Sequence, residues 1–150
     1  DARGFKAEDF ARSHPGGALG RKLLTTVADV MRTGAQSPSV PLHANFSTVM
    51  REMSDKGLGA TAVVDAAGCA VGIFTDGDLR RLLEAGTDLR SQTAASLMRP
   101  HPRSIRPDAL AADAAHMMEA HRITSLLVVD AAGRMVGALN THDLMRAKVI

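Results

Sequence analysis

Two short motifs carry the clearest chemistry in this 150-residue chain: Thr75-x-x-Asp78 and, further on, Asn140-x-x-Asp143. An ionised carboxylate accepts two hydroxyl hydrogen bonds at once, which suits the 2′,3′-diol of a ribose. A threonine hydroxyl at a helix amino end adds to the free N–H groups and dipole that favour phosphate. Thr75 and Asp78 therefore form a candidate nucleotide corner. The same residues also suit helix capping, worth about 1 kcal/mol without any ligand, and one side chain can do both. At the second corner Asp143 can still hold a diol. The hydroxyl is displaced, however, because Asn140 takes the threonine's place and Thr141 follows one position late, which puts a symmetric second site in question. His121 and Arg122 stand just before an apolar run and are candidate phosphate contacts, or else solvated charges at a helix end. Lys56 holds the matching position before the first corner. Backbone groups at Ala60, Thr61 and Ala62, and at Thr124, Ser125 and Leu126, would bracket a base.

Other chemistries fail on spacing. None of the six histidines forms His-Glu-x-x-His, and His116 and His121 lie five apart, about 140° around a helix. Asp76-Gly77-Asp78 lacks the later ligands and closing Glu of a calcium loop. Gly16-Gly17-Ala18-Leu19-Gly20-Arg21-Lys22 lacks the spacing and hydroxyl of a P-loop. No metal or cofactor is expected. The balance of 18 Lys+Arg against 16 Asp+Glu gives +2, too slight for a nucleic-acid face, and Trp and Tyr are absent. No apolar run nears the roughly 18 residues of a membrane span. A lone Cys69 excludes an internal disulfide framework and suggests a reducing cytoplasm. The start at Asp1, without Met, suggests a chain that begins partway through a longer polypeptide.

The elements that must position these corners come in duplicate. Shifted by 65, Val63-Val64-Asp65-Ala66-Ala67-Gly68 falls on Val128-Val129-Asp130-Ala131-Ala132-Gly133, Val71-Gly72 on Val136-Gly137, and Asp78-Leu79 on Asp143-Leu144. Positions 53 to 81 contain 12 identities in 29, where about two are expected from composition. Phe46, Val49, Met50 and Met53 form a helical stripe that Gly57 can end. Its counterpart carries Leu110, Ala114, Met117, Met118 and His121, with Pro107-Asp108 as the start signal. Strands follow at Ala62 to Val64 and Leu126 to Val129, then an Asp-Ala-Ala-Gly turn, then strands at Val71 to Phe74 and Met135 to Leu139. A helix then starts near Asp76 to Asp78, with Leu79, Leu82 and Leu83 inward, and another near Asp143. Thr33 to Pro41 reads as a loop. Two β-α-β-β-α units of this size are too small to stand alone, so the expected fold is α+β, two units packed through their sheets with pseudo-twofold symmetry.

A β-α-β-β-α unit whose Gly-containing strand runs into Thr75-x-x-Asp78 resembles a CBS domain, and the tandem resembles a CBS (Bateman) pair. The segment Asp9 to Leu24, with Ser13-His14-Pro15-Gly16-Gly17-Ala18-Leu19-Gly20, followed by Val27-Ala28-Asp29-Val30-Met31, resembles the junction in D-arabinose 5-phosphate isomerases. So do Phe74 to Arg81 and His121-Arg122-Ile123-Thr124-Ser125. The resemblance implies the tail of a sugar isomerase (SIS) domain over 1–24, a first CBS domain over 27–90 and a second over 91–150. It implies a parent enzyme interconverting D-ribulose 5-phosphate and D-arabinose 5-phosphate for the Kdo sugar of lipopolysaccharide or capsule. In such enzymes a histidine in the Ser-His-Pro segment closes the active site, a role His14 matches; with the rest of that domain missing, the chain alone is expected to be inactive. The expected effector is a nucleotide or nucleotide-sugar such as AMP, ATP or CMP-Kdo, and the expected assembly is a homodimer of pairs, a tetramer in the whole protein. The alternative is a ligand-free oligomerisation scaffold.

Overall fold

The computed structural model describes residues 23–150. His14 and nearly all of the segment expected to belong to an isomerase domain lie outside the described residues. The chain runs α1 (Val27–Val30), a 3-10 turn (Gly34–Gln36), β1 (Ser39–Pro41), α2 (Phe46–Lys56), β2 (Ala60–Val64), β3 (Ala70–Thr75) and α3 (Asp76–Glu84). It continues through α4 (Ala94–Leu97), β4 (Arg99–Pro100), β5 (Ser104–Ile105), α5 (Ala111–His121), β6 (Ser125–Val129), β7 (Met135–Asn140) and α6 (Thr141–Arg146). One sheet has the order β1-β2-β3-β4 and the other β5-β6-β7. In each sheet the first strand runs parallel to the second, which forms an antiparallel hairpin with the third.

The offset of 65 survives in the register. Ala60 lies opposite Thr75 as Ser125 lies opposite Asn140, and both hairpins slip at matching places, after Val63 and after Val128. The aspartates of the two turns act alike: Asp65 accepts the N–H of Ala67 and Cys69, and Asp130 those of Ala132 and Arg134. The two turns also join each other, Ala70 N–H to the Gly133 carbonyl (3.1 Å) and Met135 N–H to that of Gly68 (3.0 Å). Helix α2 starts where Asn45 accepts the Thr48 N–H at 2.9 Å and ends at Gly57 in the left-handed region. Helix α5 begins at Ala111 and not at Pro107-Asp108. The carbonyls of Pro107 and Ala109 are taken instead by the N–H groups of Ala28 and Val27, which hold that stretch as a turn.

The linkers are exchanged between the units. Val27, which precedes the first unit, is buried in the second unit's core with Ile105, Ala111, Met118 and Leu139. Ala94 and Leu97, which precede the second, are buried in the first unit's core with Val40, Val49 and Phe74. Arg32 pairs with Ala138 through both its N–H (2.8 Å) and its carbonyl (3.1 Å), and Arg99 pairs with Ile73 in the same way of crossing. Gly72 and Gly137 permit these approaches. A Cβ at Gly137 would lie 2.6 Å from the Arg32 carbonyl oxygen, and one at Gly72 would collide with the Met98 side chain. A third cluster, Leu58, Ala60, Ala62, Ile73, Leu127 and Ala138, joins the inner faces of the two hairpins. Leu79 and Leu82 pack inward as expected, but Leu83 is 60% exposed, because its helix offers the sheet too narrow a stripe to cover three leucines. No helix among the described residues is long and apolar enough to cross a membrane.

Candidate functional site

At the end of β3 the chain turns into α3, and Thr75 and Asp78 build a reciprocal cap. The Thr75 hydroxyl oxygen accepts the Asp78 N–H at 3.1 Å, and Asp78 Oδ2 accepts the Thr75 N–H at 3.0 Å. Asp78 is 7% exposed and also receives Arg81 and Arg99, the latter through Nε at 3.1 Å. Burial alone would raise its pKa, but the Thr75 N–H, the Arg81 guanidinium, the Thr75 hydroxyl and the charge of Arg99 together hold it below the ordinary carboxylate range. A diol reaching this carboxylate would therefore share it with, or displace, an arginine.

Beside Thr75 a cavity of about 300 Å³ opens between the units, lined by Ile73, Ile123 and Ser125 and by Arg99, His101 and Arg103. Two apolar side chains and a cationic rim can hold a flat apolar body with an anionic end. The rim comes from Arg99-Pro100-His101-Pro102-Arg103, a run absent from the candidates read from sequence. Its signal was present: two prolines bar both helix and central strand, so the basic side chains among them must stand on an edge strand or a loop. His101 holds a left-handed φ of 54°, a conformation uncommon outside glycine.

The other candidates are spread more widely. Ser125 reaches the cavity, while Thr124 gives its carbonyl to the Thr141 N–H at 3.0 Å. Ala60, Thr61 and Ala62 are fully buried in β2; Ala62 sits between Ser39 and Ile73 and gives its N–H to Pro38 at 3.2 Å. His121 ends α5 and Arg122 caps it with φ 55° and ψ 44°. Arg122 lines a different hollow of about 640 Å³ on the outer helical face, with Ala115, Glu119 and Leu144.

The second corner repeats the cap: Asn140 Oδ1 accepts the Asp143 N–H at 2.9 Å and Asp143 Oδ2 the Asn140 N–H at 3.0 Å. Asp143, 5% exposed, is gripped by Arg32 through Nε at 3.0 Å and Nη2 at 3.2 Å, with Arg146 at 3.5 Å. Arg32 Nη1 donates to the Lys56 carbonyl at 2.7 Å and Asn140 Nδ2 to that of Leu58 at 3.3 Å. A cavity of about 660 Å³ lies outside these bonds, lined by Arg32, Gln36, Lys56, Asp143 and Arg146 among others. Among the described residues no three His, Cys, Asp or Glu side chains are grouped to hold a metal ion.

Against known proteins, the family model for the CBS domain matches residues 27–85 and 94–150. The chain is 53% identical over its full length to arabinose 5-phosphate isomerase KdsD of Pseudomonas aeruginosa, covering 46% of that protein. It is 47% identical to KdsD of Escherichia coli K12, covering 99% of this chain and 45% of that protein. The chain thus spans about half the length of these relatives. Among solved structures it resembles CBSX2 in complex with AMP, with a TM-score of 0.72, 26% identity and coverage of 83% of this chain and 96% of that one. A putative acetoin utilization protein (AcuB) from Vibrio cholerae shares the fold at a TM-score of 0.73 and 21% identity, covering 84% of this chain and 91% of that one.

Proposed function

The chain belongs to the CBS-domain family as a tandem pair, and from that premise we propose that it is the regulatory portion of a cytoplasmic arabinose 5-phosphate isomerase, sensing a ribonucleotide or nucleotide-sugar in the cleft beside Thr75. The single observation that carries this is the cavity itself, lined by the apolar Ile73 and Ile123, by Thr75, and by Arg99, His101 and Arg103. A base fits between the apolar walls, and a phosphate or acidic sugar fits the cations. The kinship to KdsD over the whole chain supports the isomerase as the catalytic partner, and the AMP held by CBSX2 supports a nucleotide as the ligand class. An effector regulates only if it binds one state of the intact enzyme better than another, so its affinity must change when the isomerase substrate binds.

Thermal shift with AMP, ATP, CMP and CMP-Kdo is the test. A ligand at 100 times its Kd stabilises the fold by about 2.7 kcal/mol, and Arg103→Ala, an exposed position, should abolish the shift without lowering the unliganded melting temperature. No shift with any of the four at millimolar concentration overturns the reading. A second reading, a ligand-free assembly scaffold, draws on Leu83 and Met145, exposed by 60% and 54% on α3 and α6. A dimer in light scattering that dissociates on Leu83→Glu, together with no ligand response, would favour it.

A further inference from the structure

Resting on the reading of the clefts as ligand sites, we infer that Arg32 is an internal occupant of the second cleft, sealing it with Asn140 so that the chain takes up ligand in the first cleft alone. In the first cleft the cavity runs inward past Arg99 to Ile73, Thr75 and Ser125. The corresponding positions in the second are Ala138, Asn140 and Ala60. There the cavity stops outside them, at Arg32, Lys56, Asp143 and Arg146, and Ala138 and Ala60 are fully buried.

Two cross-bonds account for the difference. The Asn140 amide spans from β7 to the Leu58 carbonyl, a reach that the shorter Thr75 does not make toward Ile123, the residue matching Leu58. Arg32 forks onto both oxygens of Asp143 and uses its remaining arm on the Lys56 carbonyl, so one planar group ties the linker, the corner and the end of α2 together. Its counterpart is Arg99, since Val30-Met31-Arg32 matches Leu97-Met98-Arg99. The Arg99 side chain remains 56% exposed, against 17% for Arg32. A diol entering the second cleft must displace a bidentate guanidinium, and its phosphate must enter where the Asn140 amide already bridges.

Calorimetric titration with ATP counts the sites. The wild-type chain should take one ATP, and the Arg32→Gln/Asn140→Thr double variant two. No ATP on the wild type with one on the double variant would keep the seal while removing the first-cleft reading. Two per wild-type chain, or equal counts in both proteins, overturns the seal. Should the double variant not fold, hydrogen exchange on Asn140→Thr alone decides. ATP must then slow exchange across residues 138–143 in the variant and leave the wild type unchanged there; an equal response in both overturns the inference.

Discussion

The two clefts are built on one plan and stocked differently. Thr75 and Asn140 stand at the same corner of their units, cap the following helix through the same pair of hydrogen bonds, and place a buried aspartate between two arginines. In the first cleft those arginines stay largely in solvent and the cavity reaches Thr75; in the second, one of them is drawn in and, with the Asn140 amide, bonds across the corner, leaving the cavity outside it. A local capping motif can thus be copied intact while its ligand chemistry diverges. The cap depends on two residues three positions apart, whereas access depends on what the opposite unit and the crossing linker place in front of it.

The sharpest way to break the comparison is to remove each aspartate. Asp143→Ala strands Arg32, which is mostly buried, and should cost about 3 kcal/mol of unfolding free energy. Asp78→Ala strands only well-exposed arginines and should cost nearer about 1 kcal/mol, mainly the lost cap. Urea melts of the two variants decide it; equal losses would mean that Arg32 is no more committed than Arg99. Next in size is the pair of close-approach glycines. Gly137→Ala drives a methyl against the Arg32 carbonyl, and Gly72→Ala drives one against Met98 from its sulfur back to its Cβ, which side-chain rotation cannot clear. Each should cost about 2 kcal/mol, read as a fall in melting temperature.

A smaller effect is expected at the ends of α2 and α5. Gly57 and Arg122 hold the same left-handed cap, but the arginine's Cβ is strained there. Arg122→Gly should stabilise the chain by about 1 kcal/mol. The smallest effect is one of pH. Because Asp78 titrates below the ordinary carboxylate value when folded, its contribution to stability is complete above that ordinary value and is lost as the pH falls through the lower folded one. Asp78→Asn should therefore flatten part of the acid limb in a pH series of urea melts; an unchanged limb would remove Asp78 from the acid response.

The duplication at 65 residues made the elements legible. Val63 to Gly68 and Val128 to Gly133 mark the hairpins, and both Asp78 and Asp143 fall where caps belong. The sequence also offered the bland capping role beside the ligand role at Thr75-x-x-Asp78, and the cap is present in full. The basic rim is less legible, since His101 and Arg103 repeat nothing in the first unit and follow a two-residue edge strand on a loop without periodicity. His121 and Arg122 are charges next to a strand in the sequence, but the direction in which a helix-end side chain points is not written in its neighbours.

By itself, then, the sequence determined the unit, its register and its caps, because these depend on contacts within a few residues or within one repeat. Only the tertiary structure decided which linker completes which sheet, and so which arginine faces which aspartate. Arg32 meets Asp143 across 111 residues. Nothing local selects that partner: it follows from the burial of Val27 in the far unit's core and from the absence of a side chain at Gly137, where the linker crosses.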